Sequence, residues 1–182
     1  FAPEAMVKAF GRLGGIIAYT DGGSLSKSLP AAEFEIAKKA VKRVGMPAEM
    51  AGVLRPWLIT LLMALPDCEL KRSGAGLVAL DLKLHKEAKA RGTPIFGLET
   101  IDEQLKALAA VSDADQVAML SAGLKMYDRI DDLLETVLLR YVERNLGVVM
   151  PFQAALSEKL GLPRSAHEAF EKQVIENRNR RM

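Results

Sequence analysis

The residues with the best prospects for chemistry are carboxylates and guanidinium groups, because the other reactive types lack the neighbours they would need. The two histidines, His85 and His167, stand far apart in sequence. Neither has a second histidine or a cysteine at metal-ligand spacing, so both read as surface histidines. The one cysteine, Cys68, has no histidine beside it and no partner for an internal disulfide. No G-x-S-x-G, Walker loop or G-x-G-x-x-G occurs, and the glycines of GGIIAYTDGG are wrongly spaced to cradle phosphate. Among the acidic residues, Asp102 and Glu103 fall in the first turn of a predicted helix, where the helix dipole favours negative charge. Asp81 and Glu99 flank one predicted helix and one predicted strand.

Glu99 is the least easily explained of these. In PIFGLETIDEQL, residues 94–105, an apolar run leads into Glu99 and a helix begins at once. The junction of a strand with a helix is where ligands approach an α/β layer. A carboxylate partly buried there needs a partner. Arg178 and Asn179, near the end of the chain, carry groups that donate hydrogen bonds to carboxylates. Two readings stay open for Glu99: a structural cap or pair, or a residue facing a polar site.

The elements that would position these residues follow from punctuation and period. Residues 3–13 read as a helix with Pro3 in its first turn. GGIIAYTDGGSL reads as a short strand and a turn. Residues 30–44 read as a helix with Phe34, Ala37, Val41 and Val44 on one face, stopped by Gly45. Pro56 opens a helix to about residue 65, apolar nearly all round and so predicted to be buried. PDCELKRSGAG reads as a loop. Residues 77–91 return to helical spacing, with Leu77, Leu80, Leu84 and Ala88 on one face. TPIFGLE is the clearest strand, and Gly97 within it permits close backbone approach. Thr100 and Glu103 make a T-x-x-E capping box for a helix over 101–111. Residues 113–146 read as one long helix, or two broken near Gly123. Pro151 starts a further helix ended by Gly161, and Pro163 with a second box, Ser165 and Glu168, starts the last. The expected fold class is mainly α with one or two short strands, an α+β chain in a single domain over 1–182.

The totals exclude several functions. At 182 residues the chain is long enough to bury a core. Its 49% apolar and 26% charged residues are ordinary for a globular domain. A net charge of +2 is too balanced to argue for nucleic acid or an anionic membrane as partner. The longest apolar run, WLITLLMAL, is far shorter than the roughly 20 residues of a membrane span. No signal peptide is visible. The chain starts at Phe1 and ends in NRNRRM without a stop signal, and so reads as a piece of a longer protein.

Several stretches, in order, resemble the TraB/GumN family, within the wider TraB, ChaN and Tiki superfamily. GLETIDEQL resembles its GLE-T-x-x-x-Q segment and RPWLITLLMAL its proline-tryptophan helix. LDLKLHKEAKARGTPIFGLE resembles its run of LD, A-x-x-x-G-x-P and GLE. DGGSLSKSLP resembles the loop before its first long helix. Tyr141 and NRNRRM resemble its tyrosine helix and RN-x-x-M helix.

This resemblance implies the helical body of a metal-dependent hydrolase, with proteolysis the activity attributed to Tiki-type relatives. The implied metal site uses two G-x-x-H motifs, one near each end of the domain, plus acidic residues. Neither motif occurs here; Glu99 as a ligand would need those missing histidines close by, so the chain by itself is expected to hold no cofactor and to be inactive. A divalent metal is implied for the intact parent. By matching position the resemblance carries over Glu99, Gln104, Arg178 and Asn179, with Tyr141 in support. Glu99 and Arg178 are the catalytic candidates, Glu99 as general base or as the residue that orients Arg178. The other class of function is a non-catalytic helical module binding a peptide or protein. A homodimer and a periplasmic or cell-envelope location are further expectations, the latter from the resemblance alone.

Overall fold

The structure, a computed structural model, describes residues 14–180. Its core forms where the most apolar stretch of the chain meets two helices that are apolar on one side. Helix α1 spans Gly14–Ile17, α2 Ala31–Arg43 and α3 Pro56–Met63. As the spacing predicts, Ala37 and Val41 of α2 are fully buried, with Phe34 and Val44 half-buried beside them. Pro56 occupies the first turn of α3, where its missing N–H costs nothing. Trp57, Leu58, Ile59 and Met63 of α3 are buried, but Leu61 and Ala64 are exposed, so one side of this apolar helix stays open.

Two expected strands are absent. After α1, Ala18 makes only an isolated antiparallel bridge with Leu54. It is closed by bonds from Tyr19 N to Val53 O (2.7 Å) and Arg55 N to Ile17 O (2.8 Å). TPIFGLE is irregular, and Phe96 is 86% exposed. A strand is completed by a neighbour, and no described residue pairs with this segment. The described chain is therefore mainly α, and the α+β expectation is corrected. Gly97 is not under steric demand either, since a Cβ there would stand at an ordinary 3.5 Å from Glu99 O. The expected helix over 3–13 lies outside the described residues.

PDCELKRSGAG is also a correction, because α4 spans Asp67–Gly74. Asp67 and Glu69 sit in its first turn and Lys71 and Arg72 in its last, charges that complement the helix dipole. Helix α5 (Leu80–Ala90) buries no residue, so its leucine face is exposed. Then follow α6 (Ile101–Ala109), α7 (Asp113–Leu124), α8 (Ile130–Val142) and α9 (Val149–Lys159). The region after Asp113 thus breaks into two helices, and Gly123 stays inside α7, facing Met63 of α3. Helix α7 packs on α3 and α2 and contributes Leu120 and Leu124 to the core.

Arg43 closes the far end of α3. Its Nη2 donates to the carbonyls of Met63 (3.1 Å) and Leu65 (2.6 Å), and its guanidinium lies 5.3 Å over the Tyr127 ring. Helix C-terminal carbonyls have no partner within the helix, so this contact supplies one. Arg43→Ala is expected to lower the unfolding free energy by about 2 kcal/mol in chemical denaturation. A change below about 0.5 kcal/mol, the range of neutral surface substitutions, would show that the clamp is idle.

Candidate functional site

Glu99 is held in place by the cap that follows it. Thr100 Oγ1 accepts from Glu103 N (3.2 Å), and Glu103 Oε2 accepts from Thr100 N (2.7 Å), the reciprocal box read from T-x-x-E. The box starts α6, whose Leu105 is buried in the core and whose Ile101 and Leu108 pack against it. Glu99 therefore stands one residue outside a helix N-terminus anchored to the core.

Its partner comes from the end of the described chain. Helix α10 spans Arg164–Phe170, continues as a wider π-helical stretch over Glu171–Glu176, and ends as α11, Asn177–Asn179. A π stretch inserts an extra residue into the helical register, so side chains beyond it point elsewhere than α-helical spacing predicts. Val174, in that stretch, is buried, and the stretch packs on α6. The same helix α6 thus fixes both Glu99 and the approach of Arg178. The second expected capping box does not form. Pro163 is the N-cap of α10, which places Ser165 already inside the helix.

Arg178 forks the Glu99 carboxylate. Its Nε lies 2.9 Å from Oε1 and 2.8 Å from Oε2, and Nη2 also donates to Oε1. The Glu99 side chain is 10% exposed and that of Arg178 26%. Two-point pairing of this kind fixes the plane as well as the position of the guanidinium. The bond to Glu99 raises the Arg178 pKa above the ordinary arginine value, against a smaller opposing effect of burial. A basic group with a raised folded-state pKa contributes its stabilisation below the unfolded value and loses it only as pH rises through the folded one. The Arg178 guanidinium therefore stays charged through neutral and moderately alkaline pH.

The other site candidates do not join this pair. Gln104, in α6, is half-buried and makes no side-chain hydrogen bond among the described residues. Asn179 neighbours Arg178 but is exposed. Tyr141 is exposed at the end of α8, beside Val142, Arg144 and Leu146 around a shallow hollow. His85 is exposed on α5, and His167 is half-buried with Nε2 3.9 Å from Glu171 Oε1.

Against this geometry the sequence comparison is decisive. The model of the TraB/PrgY/gumN family matches residues 3–182. The chain belongs to the TraB/PrgY/gumN family. Comparison with curated proteins and with solved structures returns no match. In this TraB/PrgY/gumN chain, no three His, Cys, Asp or Glu side chains among the described residues are grouped to hold a metal ion. The described residues supply instead a carboxylate holding a guanidinium.

Proposed function

We propose that this chain is the helical body of a TraB/GumN-type hydrolase acting on peptide bonds, in which Arg178 stabilises the charge that develops on the substrate oxygen. The observation that carries the reading is the fork between Arg178 and Glu99. Nε and Nη2 of Arg178 are committed to the carboxylate, while Nη1 makes no hydrogen bond among the described residues. A guanidinium held in plane with one nitrogen uncommitted is preorganised to receive a carbonyl oxygen as it becomes an oxyanion. Glu99 is then a positioning residue. To accept a proton it would have to weaken a charge-assisted bond, which suits holding better than general-base work. Incubating the protein, expressed from its whole coding sequence, with a peptide pool is expected to yield discrete cleavage products by mass spectrometry. Retention of intact peptides without cleavage, under all divalent metals tried, would favour the second reading.

That second reading is a binding module for a peptide or protein, without chemistry. It is favoured by α8, none of whose residues is buried and whose Leu138, Leu139, Tyr141 and Val142 are exposed. The same apolar surface supports a proposed homodimer. No helix of the described residues is long and apolar enough to cross a membrane. The proposed location in the periplasm or cell envelope rests on the family resemblance, and fractionation of cells carrying the tagged protein checks it.

A further inference from the structure

A groove between α6 and the last helical stretch of the chain holds a second set of polar side chains. It has a volume of about 480 Å³ and is lined by Lys106, Ala107 and Ala110 of α6 and by Gln173, Asn177 and Arg180. Arg178 stands between Asn177 and Arg180 in sequence, so the groove comes within about 5 Å of it along the helix axis, the rise of one turn. Lys106 and Arg180 are exposed and Gln173 and Asn177 half-buried, so a ligand in the groove can reach all four.

The two amides are arranged so that donors are left over and acceptors are not. Arg180 Nη2 donates to Asn177 Oδ1 at 2.8 Å, and because a guanidinium can only donate, the orientation of the Asn177 amide is fixed. Asn177 Nδ2 then donates to Gln173 Oε1 at 3.0 Å. Both amide oxygens are thus used within the protein. Lys106 Nζ, Gln173 Nε2 and Arg180 Nη1 make no hydrogen bond among the described residues. No carboxylate lines the groove, and Glu176 meets Arg180 only at 3.9 Å, with both side chains exposed. Water satisfies these donors in the empty groove. What they select is an acceptor that carries negative charge.

We propose that this groove binds a carboxylate of the peptide substrate, within about two residues of the bond on which Arg178 acts, since an extended peptide advances about 3.4 Å per residue. The inference rests on the hydrolase reading for the ligand being a peptide, and on the donor set for its charge. An acidic side chain and a C-terminal carboxylate present the same group, and the probes separate them.

Three alanine-rich heptapeptides carrying a neutral methoxycoumarin serve as probes: one with a central Asp and an amidated C-terminus, the same with Asn, and the Asn peptide with a free C-terminal carboxylate. Fluorescence anisotropy with the protein expressed from its whole coding sequence gives affinity, and mass spectrometry of the same samples gives cleavage. One or both carboxylate peptides should bind about fivefold to tenfold more tightly than the amidated Asn peptide, the worth of one charge-assisted hydrogen bond. The tighter of the two names the source as side chain or C-terminus. Lys106→Met and Arg180→Met should each reduce the preference, while Lys83→Met, which removes the same charge from exposed α5, should leave it intact. Preference without cleavage leaves the groove standing as a peptide site and counts against the hydrolase reading, whereas cleavage without preference does the reverse. Equal affinity for all three peptides, binding of none, or an equal loss in the Lys83 variant overturns the proposal. The peptides on the unaltered protein decide the matter if a variant does not fold.

Discussion

Arg178→Ala should lower turnover by about two to three orders of magnitude, the loss seen when one oxyanion donor is removed from a hydrolase site. The fall should lie in kcat, with KM little changed, because the interaction strengthens only as charge develops on the substrate oxygen. Arg178→Lys should recover little of the loss. Lysine keeps the charge but cannot reproduce the planar fork that Nε and Nη2 make with Glu99. Guanidinium ion added to the Arg178→Ala protein should restore part of the rate, a rescue that a purely structural salt bridge would not show.

Glu99→Gln separates the two roles open to the carboxylate. A positioning role predicts a smaller fall, about tenfold to a hundredfold, because the amide still offers one acceptor to Arg178. A general-base role predicts a pH–rate profile whose acidic limb disappears in the variant. Unchanged kcat in both variants, with the protein folded, would remove Glu99 and Arg178 from the mechanism. Stability is a control here. The side chains are only 10% and 26% exposed, so removing Arg178 leaves a shielded carboxylate, a loss of up to about 3–5 kcal/mol, and kcat is compared only under conditions where denaturation shows each variant folded.

The parts of this site that depend on neighbours in sequence were legible, and those that depend on neighbours in space were not. The Thr100–Glu103 box is local chemistry, and it forms as read. TPIFGLE has the composition of a strand, but a strand is a property of a pair, and the described residues give it no partner. Arg178 could be named as a donor for a carboxylate, yet its approach to Glu99 depends on a π-helical stretch that no spacing rule predicts. Asp67–Gly74 was misread because Pro66, Gly74 and Gly76 mark a turn locally, whereas its paired end charges support a short helix.

Two leucines test how far the core extends. Leu120 in α7 is 0% exposed, packed with the residues of α3, whereas Leu138 in α8 is 52% exposed. Leu120→Ala removes buried methyl groups and leaves a cavity at the crossing of the central helices. It should cost about 3 kcal/mol, within the range found for such sites. Leu138→Ala removes the same atoms from a surface where water already reaches them, and should cost less than about 0.5 kcal/mol. Chemical denaturation of both variants at low concentration gives the comparison. At high concentration the order should narrow if α8 is covered by a second copy of the chain, because association with the folded state adds stability by mass action. Leu138→Lys should then shift the sedimentation profile toward monomer without changing the low-concentration midpoint. A protein that sediments as a monomer at millimolar concentration, with or without the lysine, would show that α8 does not join two copies, and would leave its apolar face to a different partner.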